Sequence, residues 1–177
     1  MSESIHAAQD TTLDAAWKVL AAIPDPEIPV ISIVELGIVR NVRRDLDGCA
    51  LVVTVTPTYS GCPATAMIEA DIVASLKREG MADCRVETQL APAWTTDSIA
   101  PAARERLRAY GIVPPGERSA AQPVNISGLR RKSTAAIACP RCGSTRTTEL
   151  SRFGSTPCKA QYRCEDCREP FDYFKPH

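Results

Sequence analysis

The cysteines with the most informative spacing form two Cys-x-x-Cys pairs near the C-terminus. Each pair can present two thiolates to one ion from a single short turn. Zinc accepts four thiolates in a tetrahedron, and the segment between the pairs is long enough for a β-hairpin. The sequence therefore predicts one metal site with four ligands, which are Cys139, Cys142, Cys164 and Cys167.

Zinc is the predicted metal of this site, and iron is the main alternative because the same four thiolates bind it. Four protein ligands leave no open coordination position, which favours a structural role over hydrolysis at the metal. The tail from about Ala138 to His177 is too short to fold by apolar burial alone. We therefore expect the metal to supply much of its stability.

Another cysteine, Cys62, directly precedes a predicted helix that starts at Pro63 and continues over 64–79. The free amides of a helix N-terminus favour negative charge, so Cys62 is predicted to be a good metal ligand or nucleophile. A simple buried cysteine is the alternative interpretation. A Cys-His catalytic pair is not predicted, because the only histidines, His6 and His177, lie near the ends of the chain.

Two acidic residues, Asp25 and Glu27, alternate with prolines just after the first predicted helix. Proline lacks the amide donor and clashes with the preceding turn, so this helix is predicted to end near Ile23. Asp25 and Glu27 should therefore project from a stiff loop. The prolines concerned are Pro24, Pro26 and Pro29.

The three remaining cysteines have weaker signals. Cys158 is a thiol beyond the four that a tetrahedral site needs, and neighbouring Lys159 would favour its thiolate. A packed or exposed cysteine without chemistry is the simpler interpretation. Cys49 and Cys84 lie among strand-like residues and are predicted to be small buried core residues.

The elements that position these residues predict an α+β domain followed by a metal-binding ribbon. Residues 1–11 read as disordered, and apolar periodicity from Leu13 to Leu20 predicts a helix. Strands are expected over 38–43 and 51–56 as an antiparallel hairpin, and over 84–90, with a last helix ending at Tyr110. The predicted domains are 12–113, a linker over 114–137, and a ribbon over 138–177.

The composition excludes several classes of protein. Lys plus Arg equals Asp plus Glu at 21 each, so the chain lacks the basic field that attracts nucleic acid or an anionic membrane. The first residues do not resemble a secretory signal, and no apolar run is long enough to span a bilayer. We expect a cytoplasmic protein with reduced thiols, and no nucleic acid or membrane as partner.

Three sequence blocks resemble the metal-sulfur cluster assembly family that includes SufT-like proteins. These blocks are Asp25 to Val30, Ser32 to Val39, and Thr56 to Pro63, and the match covers roughly residues 12–110. With the tail motif Phe153 to Lys159 and Tyr162 to Cys164, the whole chain is similar to the PaaD family, encoded with the phenylacetyl-CoA epoxidase of phenylacetate degradation. Pro157 stands where PaaD-like tails carry a small residue such as alanine.

The resemblance implies a small α+β fold and a non-enzymatic role in maturing iron-sulfur or iron centres of partner proteins. It assigns the transfer site to Cys62, with Asp25 and Glu27 as the acidic loop beside it. The implied partners are the oxygenase and reductase components of the epoxidase. One thiol cannot hold a cluster alone, so a homodimer or a client thiol must supply further ligands to a transient cluster or iron. The alternative is a stoichiometric structural subunit that transfers no metal.

Overall fold

The computed structural model describes residues 2–116 and 137–176 of the 177-residue chain. These residues fall into two compact units, of which the first ends at Ala103 and the second spans Arg104–Pro176. Each unit combines helical structure with its own β-sheet, so the predicted α+β class is confirmed. Within the described residues, no helix is both long and apolar enough to cross a membrane.

The first unit contains two long helices, three strands and a short 3-10 turn: α1 (Ser2–Ala21), β1 (Val39–Arg44), β2 (Leu51–Val55), α2 (Thr65–Arg78), β3 (Cys84–Thr88) and the turn Thr96–Ser98. α1 begins earlier than the periodicity from Leu13 predicts, because neither proline nor glycine interrupts the preceding stretch. The backbone of residues 2–11, for which the sequence predicts disorder, belongs to this helix.

The sheet of the first unit has the strand order β1-β2-β3. β1 and β2 form the predicted antiparallel hairpin, whereas β3 lies parallel to β2. A parallel pair requires a crossover connection, and α2 provides it, so β2, α2 and β3 form a β-α-β unit. All five residues of β2 are buried, as expected for the central strand of a sheet that is covered on both faces.

α2 covers the sheet face that carries alternate residues of β3. The Cys84 thiol lies 3.9 Å from the carbonyl oxygen of Val73, and the Thr88 hydroxyl donates to the Glu69 carboxylate at 2.6 Å. Cys84 is half-buried, and this desolvation raises the pKa of its thiol. Cys84 therefore packs against the helix, close to the core role that the sequence predicts.

The prediction that Cys49 is buried is wrong, because Cys49 is exposed. It lies in the turn between β1 and β2, where its amide donates to Asp45 Oδ1 at 3.0 Å. The amide of Ala50 donates to the same oxygen at 3.2 Å. Because Asp45 fixes both amides, the turn extends through Ala50 and Cys49 precedes the strand.

The second unit contains most of α3 (Pro101–Tyr110) and four strands, which are β4 (Ile112–Val113), β5 (Thr147–Ser151), β6 (Lys159–Cys164) and β7 (Pro170–Phe174). Their order in the sheet is β4-β7-β6-β5. β5, β6 and β7 are antiparallel neighbours, and β4 pairs parallel to β7. The sequence does not reveal β4, because two residues carry no readable periodicity.

One face of this second sheet carries a small core around two of the four predicted metal ligands. Cys139, Cys164 and Phe171 are buried together, with Val113, Ile137 and Tyr162 packed against them. The Tyr162 ring stacks on Phe171 with a centroid separation of 5.9 Å. A core of this size is far below what usually supports a fold without a further constraint. The predicted domain limits at 113 and 137 stay predictions.

Candidate metal centre and the Cys62 loop

The structure brings the four cysteines of the two Cys-x-x-Cys pairs together. Cys139 and Cys142 lie in the turn before β5, Cys164 ends β6, and Cys167 lies in the turn that leads to β7. Their four sulfur atoms all lie within 4.8 Å of one another. The two pairs, which are well separated in sequence, thus form one cluster.

The sulfur positions fit a tetrahedral metal ion. A Zn–S bond of about 2.3 Å in a regular tetrahedron places the sulfurs about 3.8 Å apart. The sulfurs of Cys139 and Cys167 are 3.7 Å apart, and those of Cys142 and Cys164 are 3.5 Å apart. No disulfide joins them. The cluster therefore has the donor set and the dimensions that zinc requires.

The two Cys-x-x-Cys turns have the same backbone geometry. The amide of the first cysteine donates to the carbonyl five residues later in each turn, from Cys139 to Ser144 at 2.8 Å and from Cys164 to Glu169 at 3.0 Å. The residue after each second cysteine has a left-handed backbone, with φ 74° at Gly143 and 66° at Arg168. Two equivalent turns face one point, as a four-thiolate site requires.

The electrostatics of the cluster favour a bound cation. Backbone hydrogen bonds from Cys167 and Asp166 lower the pKa of Cys164 to about 7, although desolvation opposes them. A backbone hydrogen bond from Glu169 favours the Cys167 thiolate, but desolvation and the neighbouring thiols outweigh it and raise the pKa of Cys167 to about 12. Four crowded thiols cannot all ionise unless a cation compensates their charge.

Cys158 is not part of this cluster. It is buried, and its sulfur lies 3.0 Å from the hydroxyl of Thr156, which is also buried. The next residue, Lys159, is buried as well and pairs with Asp172 at 3.4 Å. These contacts favour a packing role for Cys158, which was the simpler interpretation of the sequence.

Cys62 lies in the loop between β2 and α2, which is the connection at the C-terminal end of a parallel strand. The thiol is half-buried. The Cys62 amide donates to the carbonyl of Tyr59, and its own carbonyl accepts from the amide of Thr65, the first residue of α2, both at 3.2 Å. In open sheets with parallel strands, ligands bind at this end of the strands. The helix begins at Thr65, two residues later than the predicted Pro63, so Cys62 precedes α2 by three residues.

Three loops of the first unit meet at this end of β2. The amide of Thr56 donates to the carbonyl of Ile38, and that of Gln89 donates to Val55, both at 2.8 Å. The Trp94 indole donates to the Leu36 carbonyl at 2.9 Å. These bonds join the segment before β1, the segment that begins the Cys62 loop, and the segment after β3. The loop that carries Cys62 thus starts from a strand end that is hydrogen-bonded to both neighbouring segments.

Gly37 shows how closely two of these loops approach each other. Its φ is 76°, and a Cβ atom added to it would lie 2.5 Å from both Cβ and the carbonyl oxygen of Ser98. Only glycine fits both the left-handed backbone and this contact. The neighbouring amide of Ala100 donates to the Glu35 carbonyl at 2.9 Å, so the same segments are also hydrogen-bonded.

We expect Gly37→Ala to destabilise the first unit by at least about 2 kcal/mol, because a left-handed alanine costs roughly 1–2 kcal/mol before the clash is added. Gly80→Ala is the matched control, since Gly80 has φ 81° with no atom within 4 Å of the added Cβ. Urea unfolding followed by fluorescence measures both, because both tryptophans, Trp17 and Trp94, lie in the first unit. Equal losses in the two variants would show that the close approach is unimportant.

The prediction that Asp25 projects from its loop is wrong. Asp25 is buried, and its Oδ1 accepts hydrogen bonds from the amides of Glu27 at 2.9 Å and Ile28 at 2.8 Å. An aspartate bonded to the backbone two and three residues ahead forms a local turn, which sequence spacing alone does not distinguish from an outward carboxylate. Glu27 is exposed, as predicted.

A hydrogen-bonded pair that was not predicted from the sequence shapes the segment from Ser32 to Glu35. The Glu35 carboxylate accepts from the Ser32 amide at 2.9 Å, while the Glu35 amide donates to the Ser32 hydroxyl at 3.2 Å. This reciprocal pair is a capping box, and its signal, Ser-x-x-Glu, was present in the sequence. It fixes the turn that leads to Gly37.

Comparisons with known proteins agree with both units. Residues 13–88 match the family model described as iron-sulfur cluster assembly protein, and residues 125–175 match the PaaD zinc beta ribbon domain. A domain of unknown function, DUF59, from Bacillus anthracis has a solved structure with a TM-score of 0.52 and 27% identity, covering 58% of this chain and 96% of that one.

A curated relative from Escherichia coli K12, described as a putative 1,2-phenylacetyl-CoA epoxidase subunit, is 50% identical over 159 residues, which is 90% of each chain. Fold, cysteine cluster and family models together define a protein with an iron-sulfur cluster assembly domain and a zinc-ribbon domain. The chain belongs to the PaaD family of phenylacetyl-CoA epoxidase proteins.

Proposed function

We propose that this protein is an accessory factor that matures iron or iron-sulfur centres of the phenylacetyl-CoA epoxidase system. The observation that carries the proposal is the position of Cys62, a half-buried thiol in the loop that starts where hydrogen bonds join three segments at the end of β2. The match of residues 13–88 to iron-sulfur cluster assembly proteins supports it. In this role the protein works in the cytoplasm and is not itself an enzyme.

Cys62 is the transient ligand of the transferred iron or cluster. Among the described residues, the ribbon cysteines form the only group of three or more suitable ligands, so no complete site surrounds Cys62 there. A cluster needs about four thiolate ligands, and the others must come from a client thiol or a second copy of the chain. An incomplete site suits transfer, because the cargo leaves when the client supplies the missing ligands.

The acidic loop has two different roles in this proposal. Asp25 holds the loop in shape through the amides of Glu27 and Ile28. Glu27 is exposed and is the carboxylate that remains available to bind iron. Asp25→Ala should therefore act through loop shape, whereas Glu27→Gln should act through the ligand alone.

The ribbon holds one zinc ion through Cys139, Cys142, Cys164 and Cys167 and serves structure and docking. The fit of the sulfur separations to a tetrahedral ion supports this assignment. Four thiolates leave no coordination position for a substrate, so the ribbon does not take part in transfer. The oxygenase and reductase components of the epoxidase are the proposed clients.

The test is anaerobic loading of zinc-replete protein with ferrous iron and sulfide, followed by metal and sulfide analysis and transfer to iron-free client. We expect the unmodified chain to bind iron in addition to its ribbon zinc, and Cys62→Ala to bind none of this iron and to transfer none. Cys49→Ala, which removes an exposed thiol from the same unit, is the control and should load normally. Iron bound equally by Cys62→Ala and the unmodified chain would refute the proposal.

A second candidate function is that of a stoichiometric structural subunit, and the description of the relative as an epoxidase subunit favours it. A maturation factor becomes dispensable once its client is loaded, whereas a structural subunit does not. Removing this chain from purified, iron-replete epoxidase separates the two functions. Retained epoxidase activity supports the maturation factor, and lost activity that returns on adding the chain supports the structural role.

A further inference from the structure

The chain has three phenylalanines, all in the ribbon, and only one of them is outside its core. Phe171 and Phe174 are buried, whereas Phe153 is 65% exposed. Phe153 lies in the connection between β5 and β6, in a segment of residues 152–158 that we term the Phe153 loop. Leu150, at the adjoining end of β5, is also half-exposed. Single exposed apolar side chains are common on protein surfaces, and Tyr110 of the same unit is also exposed. Phe153 is distinguished by the ordered loop that presents it and by the cations beside it.

The Phe153 loop is held in place by its own hydrogen bonds. The Ser151 hydroxyl donates to the Phe153 carbonyl at 2.8 Å and accepts from the Phe153 amide at 3.2 Å. The Gly154 amide donates to the Lys159 carbonyl at 2.8 Å, and the Lys159 amide donates back to Thr156 at 3.1 Å. The aromatic ring is therefore presented by an ordered backbone.

An ion pair between buried Lys159 and partly exposed Asp172 supports this loop. Lys159 is 4% exposed and pairs with Asp172, and a Cβ added to Gly154 would lie 3.2 Å from the Asp172 carboxylate. Apolar residues of similar volume are often at least as stabilising as a buried ion pair. We therefore assign the ion pair a role in positioning the loop, because the pair joins β6 to β7 next to Gly154.

Two cations, Arg152 and Lys175, lie next to Phe153, while the nearby Asp172 carboxylate is paired with Lys159. The segment from Leu150 to Ala160 contains no acidic residue, and Arg152 is exposed. The ammonium group of Lys175 lies 4.5 Å from the centre of the Phe153 ring and donates to the Arg152 carbonyl at 3.1 Å. Aromatic residues, including phenylalanine, and arginine are enriched in protein interfaces.

We propose that the Phe153 loop is the surface by which the ribbon docks on its client, and that the client presents an apolar pocket bordered by carboxylates. The inference rests on the proposed function, which identifies the client as an epoxidase component. The two cations beside the ring are Lys175, which contacts it, and Arg152, which is exposed. They complement carboxylates on a protein surface. Nucleic-acid binding depends on many phosphate contacts, which two cations do not provide.

The test uses the full-length, zinc-replete chain and the purified oxygenase and reductase components as probes. We expect Phe153→Ala to raise the Kd for one component by about tenfold or more. Arg152→Glu should raise it similarly at low salt, with a smaller difference at high salt because charges are screened. The matched controls are Leu46→Ala, a fully exposed apolar side chain, and Lys18→Glu, an exposed cation, which should change the Kd less than about twofold.

Zinc content and hydrogen exchange of β5–β7 establish that each variant is folded. An unchanged Kd in Phe153→Ala, or a wild-type chain that binds neither component, overturns the docking surface. Binding of a single-stranded oligonucleotide that is lost in Phe153→Ala overturns it in favour of nucleic acid. If Phe153→Ala binds normally while Cys62→Ala still blocks iron transfer, docking is wrong and the proposed function stands. If the chain docks through Phe153 but transfers no iron, the docking surface stands and the proposed function is wrong.

Discussion

Replacing Cys139 or Cys164 by serine is expected to unfold the ribbon while leaving the first unit folded. Both sulfurs belong to the four-thiolate cluster, and both residues are at most 2% exposed in the core that they share with Phe171. Zinc contributes roughly 10–16 kcal/mol in comparable small sites, which exceeds what this core can supply. Removal of the metal by a chelator should have the same local effect as either substitution.

The measurement combines metal analysis with amide hydrogen exchange. The unmodified chain should carry about one zinc per chain, and the variants should lose both the metal and the protection of β5, β6 and β7. Fluorescence of Trp17 and Trp94 should not change, because both lie in the first unit. Cys158→Ser is the control, since that buried thiol lies outside the cluster and the variant should keep its zinc. A metal-free ribbon with full protection would contradict the prediction.

Replacing Cys62 by alanine is expected to abolish growth on phenylacetate without affecting the fold. The hydrogen bonds of the Cys62 backbone, with Tyr59 and Thr65, are available to alanine as well. An alanine methyl cannot ligate iron or attack a partner, so only the chemistry is lost. Growth of a strain whose chromosomal copy carries the substitution is the measurement. Unfolding curves and zinc content establish that the variant is intact.

Cys49→Ala controls for the loss of a thiol, because Cys49 is exposed in the same unit and should be dispensable. Normal growth of the Cys62→Ala strain would refute the carrier mechanism. A strain that fails to grow although its oxygenase and reductase contain full iron would show instead that Cys62 acts in the assembled complex. That result would favour the structural-subunit function.

The sequence predicts best those features that depend on residue type at a fixed spacing. The four ribbon cysteines, the helix that follows Cys62 and the β1–β2 hairpin all have local signals, and the structure contains all three. In each case a few adjacent residues carry the signal, such as two thiols in one turn, although α2 starts at Thr65 and not at the predicted Pro63.

Features that depend on distant contacts, or on which local hydrogen bonds form, could not be predicted in this way. Asp25 is an example of the second kind, because it is buried and bonded to the amides of Glu27 and Ile28, whereas its spacing predicts an outward carboxylate. The requirement for glycine at position 37 arises from Ser98, which lies far along the chain. The ion pair of Lys159 with Asp172 joins two strands whose register no local pattern specifies.

The pairing of β4 with β7 has a consequence for where an isolated ribbon can begin. β4 precedes the ribbon cysteines in the chain, but it belongs to the same unit and the same sheet as the strands that follow them. A fragment that starts at residue 138 lacks β4, and β7 then becomes an open edge strand on which chains can associate.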